Sequence, residues 1–186
     1  MTVRTYEAFS VSHASILDGT TAADLALSAE EWPVYGVREG SLSVDEGSYD
    51  NTGDDSILSS WFWFNFVNIS IKSGYIPFDT IAGLTGNSVT ISGSIMSLPL
   101  WDVDSQNQAP KPVLIRCPSR DSDGTVRYMD FVLYKCYFMP IKFEGPSYRN
   151  GLVVDYSARA VISANDERGY PLSKRAIGRL INRPTS

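Results

Sequence analysis

Most of the chain alternates apolar and polar residues with period two, the pattern of strands that bury one face. Residues 152–162 are the clearest case: Leu152, Val154, Tyr156, Ala158, Ala160 and Ile162 point one way, while Asp155, Ser157, Arg159 and Ser163 point the other. A half-buried antiparallel strand is predicted there. Val89, Ile91 and Ile95 alternate with Ser88, Thr90, Ser92 and Ser94, which predicts a strand whose exposed face is small, neutral and hydroxylated, with Gly93 at a bulge or close approach. Residues 125–143 differ: Met129, Phe131, Leu133, Tyr137, Met139 and Ile141 fill one face, and Val132, Tyr134, Cys136 and Phe138 the other. The strand from Trp61 begins alike, with Trp61 and Trp63 on one side and Phe62, Phe64 and Phe66 on the other. It then settles to Val67, Ile69 and Ile71 against Asn68, Ser70 and Lys72. Strands with two apolar faces need cover on both. That cover comes either from loops and a helix of the same chain, in a two-layer sandwich, or from another subunit.

Helical signals are few. Residues 77–84 read as a short helix: Pro77 suits the first helical position, Asp79 favours the positive end, Phe78, Ile81 and Ala82 share a face, and Gly86 suits the C-terminal cap. Residues 21–31, ending before Pro33, form a second, Ala-rich candidate. The acidic, glycine-bearing stretch 45–55 reads as a long loop or hairpin tip. Residues 166–186, with Pro171, Gly178 and Pro184, read as an arm outside the main domain.

At 186 residues with 43% apolar and 20% charged positions, the chain fits one globular domain with a sizeable core. Its wholly apolar runs reach only the length of residues 61–64, far short of the ~20 that a membrane helix needs, and residues 1–10 contain no apolar export segment. The acceptor triplet Asn68-Ile69-Ser70, inside a strand pattern, reads as chance. The formal charge of -5 conceals an asymmetry: residues 1–60 hold eleven acids against Arg4 and Arg38, whereas residues 61–186 hold ten acids against fourteen bases. An acidic total argues against gripping nucleic acid through its phosphates and suits a surface that repels DNA. Cys117 and Cys136 flank a turn at Asp121-Ser122-Asp123-Gly124, which sets Cys117 opposite roughly Tyr128 and leaves Cys136 about 26 Å further along, too far for a disulfide.

No catalytic constellation emerges. The single histidine, His13, lies on a strand-like segment without a nucleophile-elbow pattern, and Cys117, Cys136 and His13 lack zinc spacing. Asp50-Asn51-Thr52-Gly53-Asp54-Asp55 has calcium-loop composition, but Gly sits at the fourth place and no Glu closes a twelve-residue loop. Gly83-Leu84-Thr85-Gly86 has no lysine partner and follows a helix, unlike a phosphate loop.

Three stretches carry a family signal in their order. These are NTGDDSILSSWFWFNFVNISIKSGYIPFDTIAGLTG (51–86), APKPVLIRCPSRDSDGTVRYMDFVLYKC (109–136) and FEGPSYRNGLVVDYSARAVISANDERG (143–169). Together the chain resembles, over most of residues 6–183, the major tail tube proteins of long-tailed bacteriophages, especially those of actinobacterial phages; residues 21–37 do not match. The resemblance implies a mostly β, antiparallel sandwich or barrel-like subunit with one short flanking helix, an extended loop and a C-terminal arm. Six such subunits form a ring, and rings stack into a virion tube that encloses the tape-measure protein, joins tail-terminal proteins and conducts DNA into the host. The subunits would assemble in the host cytoplasm, with no cofactor, no catalytic residue and no membrane insertion by this chain.

Candidate subunit contacts follow from the residues. With Trp61 and Trp63 on the side of Val67 and Ile69, Phe62 and Phe64 are expected at a neighbouring subunit and the Trp pair in the core. The basic C-terminal segment, through Arg175 and Arg179 with Ile177 and Leu180, is expected to reach the acidic Asp50, Asp54 and Asp55 of an adjacent ring. A second class of function stays open: a monomeric β-sandwich module that binds carbohydrate or protein on an aromatic platform of Trp61, Trp63 or Trp101.

Overall fold

The period-two segments become strands of one curled antiparallel sheet. In this computed structural model, residues 6–8, 13–16, 32–34, 36–53, 56–75, 78–100, 109–121, 124–145 and 152–184 are described. Among the described residues, ten strands make the sheet. Its path runs β3 (Trp32–Val34), β2 (His13–Ile16), β8 (Lys111–Asp121), β9 (Val126–Phe138), β11 (Val153–Val161), β5 (Ser56–Ser73) and β4 (Val37–Gly53). Off this path, β1 (Tyr6–Ala8) pairs with β8, β10 (Lys142–Glu144) with β11, and β14 (Gly178–Pro184) with β9. Two small ribbons stand apart: β6 (Thr90–Ser92) with β7 (Ile95–Ser97), and β12 (Ser163–Asn165) with β13 (Pro171–Ala176).

The concave side of the sheet closes over the core. Ala14, Ile16, Val34, Ile69, Ile71, Val113, Ile115, Leu133, Cys136, Val154, Tyr156, Ala158 and Ala160 meet there, and Ile81 and Leu84 of the helix α1 (Phe78–Thr85) fill the centre. The alternation seen in residues 152–162 thus marks the inward face, with Ile162 alone turned to solvent beyond the strand. The helix expected at 77–84 is found over Phe78–Thr85, and Gly86 after it takes φ +66° as a left-handed cap. The other side of β8 and β9 carries a second cluster, Leu114, Val132 and Tyr134, covered by Leu172, Ala176 and Ile181 of the C-terminal strands. Both faces of β9 are therefore covered by the chain itself.

One extra residue in β9 explains how its apolar positions divide. Lys111 pairs with Cys136 and Val113 with Leu133, so Pro112 faces two residues, Tyr134 and Lys135. Proline has no amide proton for the ladder, and a bulge is one of the few places where a sheet tolerates it. The bulge reverses the side-chain parity. Phe131 and Leu133 before it, and Cys136 and Phe138 after it, all join the core cluster, which corrects the sequence assignment of Cys136 and Phe138 to the face opposite Leu133.

Three further corrections arise. Residues 88–97 form a hairpin, not one strand: Ile91 pairs with Met96 and Ser92 with Ile95, and Gly93 at φ +62° opens the turn. The acidic stretch 45–53 is strand paired with β5 out to Gly53 and Ser56, which overturns the long-loop alternative and leaves the hairpin one. The C-terminal segment is no arm: β14 adds to the main sheet along β9 from Arg127 to Leu133. The helix candidate at 21–31 lies outside the described residues, as does Trp101.

Cys117 faces Met129, one position from the predicted Tyr128, and both cysteines are free thiols. Burial pushes the Cys136 thiol and the Tyr156 phenol far above their ordinary values of 9.0 and 10.0. Both groups fold in their neutral forms, so the stability that they contribute is complete below pH 9 and is lost as pH climbs through the alkaline range. Urea titrations between pH 7 and 11 are expected to show a falling midpoint above about pH 9. A flat profile would show that neither group is desolvated.

Candidate assembly surfaces

One part of the sheet is both exposed and strongly aromatic. β11 pairs with β5 only from Phe66 to Ser73, so residues 56–65 are paired with β4 alone among the described strands. Ten residues of strand extend about 33 Å. The ribbon so formed projects past β11 and carries Tyr49, Trp61, Trp63 and Phe64, which are 60%, 66%, 47% and 61% exposed. Residues 44–64 hold five acids and no base, as much negative charge as the net of the whole chain.

A bulge sets which way these rings face. Asp45 pairs with Phe66, but Glu46 pairs with Phe64, leaving Asn65 as the extra residue; its Nδ2 donates to Asp45 Oδ2 at 3.0 Å. Parity flips there. Phe64 therefore shares a face with Val67 and Ile69, whereas Trp61, Trp63 and Tyr49 share the opposite face with Phe66 and Asn68. The Trp63 ring lies against the backbone of Gly47, its partner across the ribbon, where any Cβ would overlap the indole. The expectation that the Trp pair lies in the core is overturned, for lack of any account of the bulge. Trp61→Ser with Trp63→Ser is accordingly expected to lower stability by less than about 1 kcal/mol, read by thermal unfolding. Loss of the cooperative transition in that double variant would return the pair to the core.

The aromatic row continues onto the convex face of the sheet. Arg159 lies across from Tyr137 and Asn68, and its guanidinium sits 4.8 Å from the centre of the Phe66 ring. Lys135 Nζ lies 5.6 Å from the Tyr137 ring centre. Beyond them the face is polar, with Ser41, Ser43, Asn68, Ser70 and Ser157 at neighbouring register positions. The small ribbon β6–β7 offers a second exposed apolar surface in Ile91, Ile95 and Met96.

The C-terminal cations are mostly spoken for. Asp130, fully buried, accepts from Arg116 Nε at 2.7 Å and Nη2 at 2.8 Å, and Arg183 Nε lies 2.9 Å from its Oδ2. Arg179 pairs with the buried carboxylate of Glu167, and Arg168 lies 3.5 Å from Asp166 and 3.9 Å from Glu167. Arg179 is thus paired within the chain itself, which runs against its expected contact with an adjacent ring. Ile177 packs half-buried against the core cluster, while Arg175 and Leu180 are exposed. Phe62 and Asp50 occupy register positions opposite Ser48 and Ser60, with side chains outside the described residues; Asp54 and Asp55 lie outside them altogether. Sequence reasoning missed Tyr49 and Gly47, although a tyrosine amid the acidic stretch was the available sign.

Among the described residues, no three His, Cys, Asp or Glu side chains are placed to hold a metal ion, and no helix is long and apolar enough to cross a membrane. His13 stands opposite Arg116 in the β2–β8 register, its side chain outside the described residues. No family model matches the chain, and no curated protein matches it significantly in sequence.

Proposed function

We propose that this chain is the structural subunit of a tube of stacked homohexameric rings, of the kind that forms the tail of long-tailed bacteriophages. The observation that carries the reading is the projecting ribbon β4–β5. A two-stranded ribbon is marginally stable alone in water, and each large aromatic side chain gains roughly 2–3 kcal/mol when a second surface covers it. A ribbon that inserts into a different surface of its neighbour makes a heterologous contact, and such contacts repeat into rings or filaments instead of stopping at a dimer. On this reading the polar convex face suits a wetted channel wall, and the acidic total limits adhesion of DNA in transit. The partners are then copies of the chain itself, the tape-measure protein and the tail-terminal proteins, assembled in the host cytoplasm and resident in the virion, with no cofactor and no reaction.

Sedimentation velocity and negative-stain microscopy of the purified protein test this directly. Rings or tubes that persist in EDTA are the expected result, and a monomer at every concentration overturns the reading. A second reading rests on Tyr49, Trp61 and Trp63, which lie exposed on one face as sugar-binding platforms do. Quenching or shift of tryptophan fluorescence by oligosaccharides, from a protein that stays monomeric, would favour that module instead.

A further inference from the structure

We infer that the acidic, aromatic ribbon β4–β5 of one copy docks on β13 of a second copy, with Lys174 and Arg175 as the cations it receives. The inference rests on the self-assembly reading above and names the two surfaces that meet. β4 pairs only with β5 among the described strands, so its outer edge is open along the ribbon. Open edges invite pairing with another chain. Glu39, Asp45, Glu46 and Asp50 stand along this edge, so two β4 edges related by a twofold axis would bring like charges together. The edge therefore rejects its own copy and selects a basic one.

The aromatic face makes the same choice by another route. Trp61, Trp63 and Tyr49 are exposed on the face that also carries Asp45, and exposed rings of this kind attract a cation with an aliphatic stem. The subunit already pairs rings and cations along the continuation of this row, at Arg159 with Phe66 and Lys135 with Tyr137. In the C-terminal segment, Arg168, Arg179 and Arg183 have carboxylate partners within the subunit. Lys174 and Arg175 are exposed, and neither pairs with a described residue. They sit on β13, which pairs only with β12 among the described strands and so has an open edge of its own. Along the ribbon, where residues 44–64 contain no base, the edge is acidic, while β13 contains no acid; the two are complementary and belong to different parts of the subunit. The contact is heterologous, as a ring or stack requires.

A charge exchange between two variants tests the pairing. Lys174→Glu with Arg175→Glu gives a subunit acidic at both surfaces, and Glu46→Lys with Asp50→Lys gives one basic at the ribbon. Each alone is expected to need at least about tenfold more protein to assemble than the wild type, measured by sedimentation. An equimolar mixture of the two is expected to co-assemble near the wild-type concentration, because each ribbon then meets an opposite charge. Circular dichroism establishes that each variant is folded; if the reversal perturbs the sheet, Lys174→Gln with Arg175→Gln must raise the assembly concentration at least about threefold. Wild-type tubes with unchanged assembly of the β13 variant, or two defective variants that the mixture does not rescue, overturn the inference and leave the tube reading standing. A wild-type protein that never assembles removes both.

Discussion

Asp130→Asn is expected to lower the stability of the folded chain by about 3–5 kcal/mol, because the carboxylate sits between two guanidinium groups with no access to water. Its side chain is fully buried, Arg116 reaches it with two nitrogens at 2.7 and 2.8 Å, and Arg183 Nε lies 2.9 Å away. The three residues belong to β8, β9 and β14, so a single carboxylate ties the C-terminal strand to the middle of the sheet. An asparagine keeps the shape and removes the charge, which leaves two cations facing a neutral group. Arg116 is further held over the Tyr128 ring, 5.3 Å from its centre, and cannot swing out without losing that contact. Glu144→Gln is the comparison. Its pair with Lys72, at 3.0 Å, is exposed to solvent, which screens it, so its loss is expected to change stability little. Urea denaturation of the two variants side by side measures the contrast, and equal midpoints would mean that the buried cluster is solvated in the folded protein.

The sequence signals that survived are those that run through regular geometry. Residues 153–161 form a strand with one clean alternation and no bulge, so Val154, Tyr156, Ala158 and Ala160 were legible as core before any partner was known. The hairpin about residues 121–124 was legible because turn chemistry fixes register to within a residue. Period-two reasoning fails wherever one residue is added to one strand only. Asn65 and the pair Tyr134 and Lys135 opposite Pro112 are such places, and each reverses every side chain beyond it. Both left a mark in the sequence: a lone asparagine inside an aromatic run, and a proline in a strand. The C-terminal strands were misread for a related reason, since Pro171, Gly178 and Pro184 punctuate the segment as loop residues do. They stand instead at strand ends: Pro171 opens β13, while Gly178 and Pro184 bound β14. Gly178 packs its Cα against the backbone of Val132 in the space a side chain would take. The projecting ribbon was visible as composition but not as shape, because nothing local says where β11 stops covering β5.

Deletion of residues 171–186 is expected to abolish cooperative folding, not merely assembly. The deletion removes β14, whose residues Gly178–Pro184 pair with β9 from Leu133 to Arg127, and it strips Leu172, Ala176 and Ile181 from the cluster of Leu114, Val132 and Tyr134. Removing the half-buried Leu172 and Ile181 forfeits burial worth at most about 1.5–3 kcal/mol for each, and the newly bared part of Leu114, Val132 and Tyr134 adds to it. Glu167 loses Arg179 and Asp130 loses Arg183, so two buried carboxylates are left short of a counter-ion. The summed loss is comparable to the whole stability of a domain this size, about 5–15 kcal/mol. Leu180→Ser separates this effect from one on assembly: Leu180 is 53% exposed on the same strand, and its replacement is expected to leave the unfolding midpoint within about 0.5 kcal/mol of the wild type. Circular dichroism with thermal melting reads both. A truncated chain that keeps its sheet signal and its midpoint would make the C-terminal strands a detachable arm and would place the second cluster outside the folding unit.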